Sequence, residues 1–175
     1  NVSRISPEAP VPVVEVRHET RALGGAANVV HNIATLGSVP ILCGVIGKDA
    51  IGQEVLKKVN EMGLITEGII MEQDRPTSIK TRIIAHSQQM VRFDRESLTD
   101  IMPDSMERLL GFIEKRINSI DAIVVSDYGK GVVSASMMKK LMEIIRSVSG
   151  RSVIVAVDPK TDNFKYYKGV DAITP

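Results

Sequence analysis

Apolar positions along this chain follow distinct spacings. Residues 41–46 (ILCGVI), 122–126 (AIVVS), 153–157 (VIVAV) and 172–174 (AIT) are continuous apolar runs. Short runs without alternation predict strands buried on both faces, as in parallel sheets. Between them, apolar residues recur at helical spacing. Ile51, Val55, Leu56, Val59 and Met62 form one such series, with Gly63 as its stop. Met106, Leu109, Leu110, Ile113 and Ile117 form another, with Pro103 near its start. Leu141, Ile144, Ile145 and Val148 form a third, with Ser134 or Ser136 as N-cap and Gly150 as stop. Strands alternating with helices predict an α/β fold, a parallel-sheet core with flanking helices and right-handed crossovers.

Residues 11–23 (VPVVEVRHETRAL) and 78–96 (SIKTRIIAHSQQMVRFDRE) behave differently. They alternate apolar and polar positions with β-branched enrichment, the pattern of a two-faced antiparallel sheet. The expectation is a small β lid whose strands come from these two separate stretches and pair antiparallel. The α/β core then takes residues 24–77 and 97–175, within one domain spanning 1–175.

Composition narrows the function classes. The chain has 175 residues, 43% hydrophobic and 25% charged, which fits one globular domain. A net charge of +1 argues against a broad nucleic-acid or membrane footprint. Absence of Trp, with only three Phe, weakens a single-strand nucleic-acid reading further. Cys43 is the sole cysteine, so no intrachain disulfide forms and a reducing cytoplasm is the expected setting. No apolar run approaches the roughly 18 residues of a membrane span. The chain opens on Asn1 rather than Met and closes at DAITP, so both ends read as cut.

Residues 24–37 (GGAANVVHNIATLG) put a glycine pair at the start of an amphipathic helix. Gly24 and Gly25 let backbone amides approach a ligand, and Asn28 adds a side chain that both donates and accepts. The plainer alternative is a tight turn and helix cap. Lys80 and Arg82, two residues apart, share one strand face, as do Arg92, Asp94 and Glu96. Cations there suit a phosphorylated ligand, since Arg gives bidentate contacts to phosphate and Lys a point charge. Gln89, beside Gln88, is placed to read hydroxyls; a solvated strand face is the alternative. After the buried strand ending at Ser126 comes SDYGKG. Polar residues at the C-terminal end of a parallel strand face the ligand crevice. Asp127 is a candidate acceptor for ligand hydroxyls, and Lys130 a candidate cation beside an anionic ligand group. The alternative is a strand-to-helix turn with an Asp cap. No P-loop occurs: GVIGKD (Gly44–Asp49) lacks the spacing and the Ser/Thr. No G-x-G-x-x-G follows a strand, and His18, His31, His86 and Cys43 lack ligand spacing, so no metal site is expected within the chain.

The Gly24–Gly37 segment resembles the sugar-binding signature of the ribokinase (PfkB) carbohydrate-kinase family. RISPEAPVPVV (Arg4–Val14), IKTRIIAHSQQMVRFDRE (Ile79–Glu96), SDYGKG (Ser126–Gly131) and VDPK (Val157–Lys160) extend the likeness over nearly the whole chain, in the family's order. Together they resemble the branch of bacterial heptose-7-phosphate kinases, including the kinase domain of the bifunctional heptose kinase/adenylyltransferase. The resemblance implies a ribokinase-like fold and transfer of the γ-phosphoryl of ATP, with Mg2+, to C1 of heptose 7-phosphate. It implies substrate contacts from Gly24, Gly25, Asn28 and the lid, and nucleotide contacts near Asp158 and Lys160. It also implies a homodimer through the lid. The family's Gly-x-Gly-Asp base would lie beyond Pro175, so this chain is expected to be inactive alone. Other sugar phosphates, or a non-catalytic sugar-phosphate-binding module, remain alternatives.

Overall fold

The runs marked as buried strands enter parallel ladders. The structure, a computed structural model, describes residues 2–85, 88–150 and 152–175; His86, one of the histidines considered above, lies outside them. β3 (Gly44–Gly47) pairs in parallel with β4 (Ile69–Glu72), from Gly44 opposite Ile69 to Gly47 opposite Glu72. β7 (Ala122–Ser126), β8 (Ile154–Asp158) and β9 (Ala172–Ile173) form a second parallel sheet in that order. The strand expected over 41–46 begins only at Gly44. Just before it, the chain passes so close to Gly68 that a Cβ there would lie 2.5 Å from the Leu42 carbonyl oxygen. β4 itself was not anticipated, being four residues long and ending on a charged Glu72.

Helices α1 (Ala26–Thr35), α2 (Ala50–Glu61), α3 (Pro103–Arg116) and α4 (Ala135–Arg146) lie where the spacing and stops place them. The ends follow local chemistry. Asp49 caps α2 by accepting from the Gly52 amide at 2.8 Å, Pro103 opens α3, and Ser134, not Ser136, caps α4 by accepting from Met137. One face of the β7–β9 sheet packs under α3 and α4. Val125, Val155 and Val157 join Leu109, Leu110, Ile113, Met138 and Leu141, with Ile70 of β4, in one buried cluster. The other face carries Val124 and Ile154, which stay 47% and 56% exposed.

The lid differs from expectation. Residues 78–96 fold on themselves as a hairpin, β5 (Ile79–Ala85) against β6 (Gln88–Arg95), with Arg82 directly opposite Arg92. Of residues 11–23, only β2 (Pro12–Val14) is a strand, and it pairs antiparallel with β1 (Val2–Ile5). Closing a short loop costs less chain entropy than joining distant segments, so a stretch holding two strands' worth of alternation pairs locally.

Glu72 and Arg75 knit these pieces together. Their side chains are 7% and 8% exposed and meet at 2.8 Å. Glu72 also accepts from the Met102 amide at 2.7 Å, while Arg75 donates to the carbonyls of Thr99 and Lys130 at 2.6 and 3.1 Å. One ion pair thereby ties β4 to the approach to α3 and to the loop after β7.

Candidate functional site

Gly25 caps α1 with φ 57 and ψ −139, a backbone conformation that only glycine adopts readily. No side chain caps this helix, so its first amides are left to a ligand or water. Asn28 is exposed beside them. A Cβ on Gly25 would lie 3.7 Å from the Tyr128 ring, so the glycine element borders the loop after β7.

That loop forms one wall of a crevice of about 390 Å³, lined by Glu96, Tyr128, Lys130, Lys160, Asn163 and Tyr166 among others. Lys130 forms an ion pair with Glu96, at the foot of the hairpin. The second Glu96 carboxylate oxygen is buried without a hydrogen-bond partner among the described residues. The Lys160 stem lies across Gly129, with Cγ 3.2 Å from where a Cβ would stand. Lys130 and Lys160, assigned from sequence to different ligands, therefore line one crevice.

Asp127, expected to meet sugar hydroxyls, is 6% exposed and turned inward. Its Oδ1 accepts from the Gly129 amide at 2.7 Å. Its Oδ2 accepts from Asn163 Nδ2 at 2.8 Å and from the Tyr167 hydroxyl at 2.6 Å. Tyr167 is held above the usual phenol range, first by burial and then by its bond to Asp127. Asp158 stays exposed at the end of β8, where the Thr174 hydroxyl donates to it at 3.3 Å.

On the hairpin, Asp94 accepts from Arg92 at 3.0 and 2.9 Å and from Lys80 at 3.3 Å. Partial burial pushes the Asp94 carboxyl up, but Arg92 and Lys80 outweigh it and hold it below the usual carboxylate range. Arg82 faces Arg92 across the ladder and has no ion-pair partner among the described residues. The expected cation face thus forms, with Arg82 uncompensated. Gln89 is exposed opposite Ile84, past an irregularity in the ladder. The structure does not bring Lys80, Arg82 or Arg92 into the crevice lining; Glu96 is the link.

Sequence reasoning missed Tyr128, Asn163, Tyr167, Glu72 and Arg75 as site-shaping residues. Tyr128 stood inside a quoted motif. The others belong to no local pattern, because most of their partners lie 24 to 55 residues away, apart from the Glu72–Arg75 contact itself and the bonds between Tyr167 and Lys160.

The pfkB family carbohydrate kinase model matches residues 1–175. The bifunctional protein HldE of Desulfatibacillum aliphaticivorans is 44% identical over 174 residues, covering 99% of this chain and 35% of that protein. HldE of Wolinella succinogenes is 41% identical over 172 residues, covering 98% of this chain and 36% of that protein. The chain therefore spans little more than a third of the length of these curated relatives, 35–36%. Among solved structures, Sa239 aligns with a TM-score of 0.59 at 16% identity, over 87% of this chain and 48% of that one. An uncharacterized sugar kinase of Pyrococcus horikoshii, solved with ATP, aligns with a TM-score of 0.52 at 16% identity, over 81% and 45%. At such identity these two bear on the fold alone, and the fold is ribokinase-like α/β. With the family match running from its first residue to its last, and relatives above 40% identity over nearly all of it, this chain belongs to the pfkB family of carbohydrate kinases.

Proposed function

We propose that the protein containing this chain transfers the γ-phosphoryl of ATP to heptose 7-phosphate at C1. The product is heptose 1,7-bisphosphate, on the route to ADP-heptose and the lipopolysaccharide core. The observation that carries the proposal is the nearness of Gly25 to Tyr128, where an added Cβ would stand 3.7 Å from the ring, so that the uncapped α1 N-terminus lies beside the lysine-bearing loop. Helix amides and lysines suit an anionic, polyhydroxylated ligand. The heptose assignment itself rests on the resemblance of RISPEAPVPVV and SDYGKG to the heptose-7-phosphate kinase branch.

In this reading Gly24, Gly25 and Asn28 hold sugar hydroxyls. Lys130 approaches the transferred group once its bond to Glu96 is exchanged for phosphate. Lys160 and Asp158 serve the nucleotide. Phosphoryl transfer needs positioning and charge stabilisation above all. No cluster of three or more His, Cys, Asp or Glu gathers among the described residues. Mg2+ binds through one or two carboxylates plus substrate phosphates, so the exposed Asp158 fits such an ion arriving with ATP. We assign no general base within residues 1–175.

Arg82 and Arg92, with Lys80, are assigned to the phosphate already on the sugar. Losing one charge-assisted bond costs about 1.5–3 kcal/mol, roughly ten- to a hundredfold in affinity. In the full-length protein, Arg82→Ala is expected to raise the sugar-phosphate KM by that factor and leave the ATP KM within twofold. An equal rise in both, or in neither, would return these residues to a solvated strand face.

The opposite hairpin face presents Val91 and Phe93, 45% and 55% exposed, beside Thr81 and Ile83. Apolar sheet faces seek cover, so we assign this one to a second copy in a homodimer. Phe93→Lys should convert the full-length dimer to monomer in analytical ultracentrifugation; a parent already monomeric at tens of micromolar would defeat the assignment. No helix of the described residues is long and apolar enough to cross a membrane. The Cys43 thiol, pushed up to about 11 mainly by burial, stays protonated and unreactive at neutral pH. We assign the protein to the cytoplasm, the setting that a lone cysteine with no disulfide partner suits.

A further inference from the structure

Asp127 is a buried carboxylate with no ion-pair partner among the described residues. Burial of a charge is costly unless its lone pairs are answered. Here three donors answer them, and they come from two segments of chain. The Gly129 amide belongs to the loop that carries Lys130. Asn163 and Tyr167 belong to the segment that follows Lys160. Tyr167 does more than donate: its hydroxyl accepts from the Lys160 backbone amide at 3.1 Å. The carboxylate is therefore linked through one phenol to the backbone of Lys160. Directly, it is linked to the glycine over which the Lys160 stem lies. A further backbone bond, from the Asp127 amide to the Asp158 carbonyl at 2.9 Å, fixes the roots of both loops.

We propose that Asp127 and Tyr167 are positioning residues that set Lys130 and Lys160 on the two sides of one anion-binding crevice, without touching substrate themselves. The proposal rests on the nucleotide-side assignment of Lys160. Tyr167 is suited to the task because it is 4% exposed and stays a phenol across the working pH range, so it keeps donating to Asp127 while accepting from Lys160. Asp127 gives the loop its carboxylate anchor, whereas a residue reading sugar hydroxyls would keep lone pairs facing the crevice.

The test uses the full-length protein, magnesium-ATP as titrant in calorimetry, and thermal melting as a check on folding. Tyr167→Phe keeps the ring in place and removes only the hydroxyl. It is expected to weaken magnesium-ATP binding about five- to tenfold and leave the sugar-phosphate KM within twofold. Lys160→Ala is expected to weaken binding at least as much, and Tyr167→Phe added to Lys160→Ala less than twofold further. Asn163→Ala, which removes a half-buried donor, is expected to shift ATP binding in the same direction by a smaller factor. If Lys160→Ala weakens binding while Tyr167→Phe only lowers the melting temperature, the positioning role is wrong and the site reading stands. If Tyr167→Phe exerts its full effect in the Lys160→Ala background, it does not act through Lys160 and the proposal fails. If Lys160→Ala leaves ATP binding unchanged, the nucleotide-side reading falls and takes this inference with it.

Discussion

Arg75→Ala is expected to cost about 3–5 kcal/mol of folding stability, the usual penalty for stripping one partner from a buried ion pair. The cost has two parts. Glu72, 7% exposed, would be left as a buried carboxylate with only the Met102 amide and Ser105 to answer it. The carbonyls of Thr99 and Lys130 would lose their guanidinium donor. Burial alone would push the Glu72 carboxyl up, but Arg75, the Met102 amide and Ser105 together hold it below the usual range. The pH dependence follows from that direction. A depressed carboxylate contributes stability above its unfolded pKa, about 4.3, and the contribution disappears as pH falls through the lower folded value. In Arg75→Ala the guanidinium is gone, burial raises Glu72, and protonation then relieves the folded state. The gap between parent and variant should be widest near neutrality and narrow below about pH 4. Urea denaturation at pH 7 and pH 4 measures both. A loss under about 1 kcal/mol at pH 7 would mean water reaches the pair and the clamp is not buried in solution.

Gly131→Ala is expected to be nearly as damaging, for a steric reason. Gly131 has φ +77, where an L side chain costs about 1–2 kcal/mol. Its Cβ would also stand 1.8 Å from the Thr99 carbonyl oxygen and 2.9 Å from the Asp100 Cα, both backbone atoms that no rotamer change can move. The loop must shift, breaking the bond from the Ile101 amide to the Gly131 carbonyl at 3.0 Å. A total near 3–5 kcal/mol is expected, with loss of the Lys130–Glu96 contact one residue away. Gly129→Ala is the comparison. Its φ is +63, but the nearest atoms belong to the flexible Lys160 stem, so about 1–2 kcal/mol is expected. If both variants lost the same stability, the close approach of residues 99–100 would not exist in solution.

What the sequence makes legible is local. Helix α2 starts beside Asp49 and α4 beside Ser134 because a cap and its amide lie three residues apart, within any reading window. Continuous apolar runs name buried strands for the same reason. Partner choice is not local. The alternation over 78–96 announced strands, yet nothing in it said that Lys80 would meet Asp94 of its own hairpin rather than residues 11–23. The site divides in the same way. Gly25, Asn28, Lys130 and Lys160 follow from glycine placement and strand ends. The inward turn of Asp127 was illegible, because its direction is decided by Tyr167, forty residues on. Arg75 sits in a turn-like stretch with no periodicity, and its weight comes from Glu72 and from the carbonyls that converge on it.

The half-covered sheet of β7, β8 and β9 has a consequence for handling the molecule. Val124 and Ile154 face outward, and the edge strand β9 is only two residues long, with no Lys or Pro within it. So short an edge offers little to another chain's strand, but the bare apolar face beside it remains a surface on which a second molecule can settle. Colloidal behaviour should therefore be set by this surface rather than by net charge, which at +1 offers little mutual repulsion. Concentrated solutions of the chain would cloud through this sheet before any helix melts, and solubility, more than thermodynamic stability, becomes the property that limits work with it.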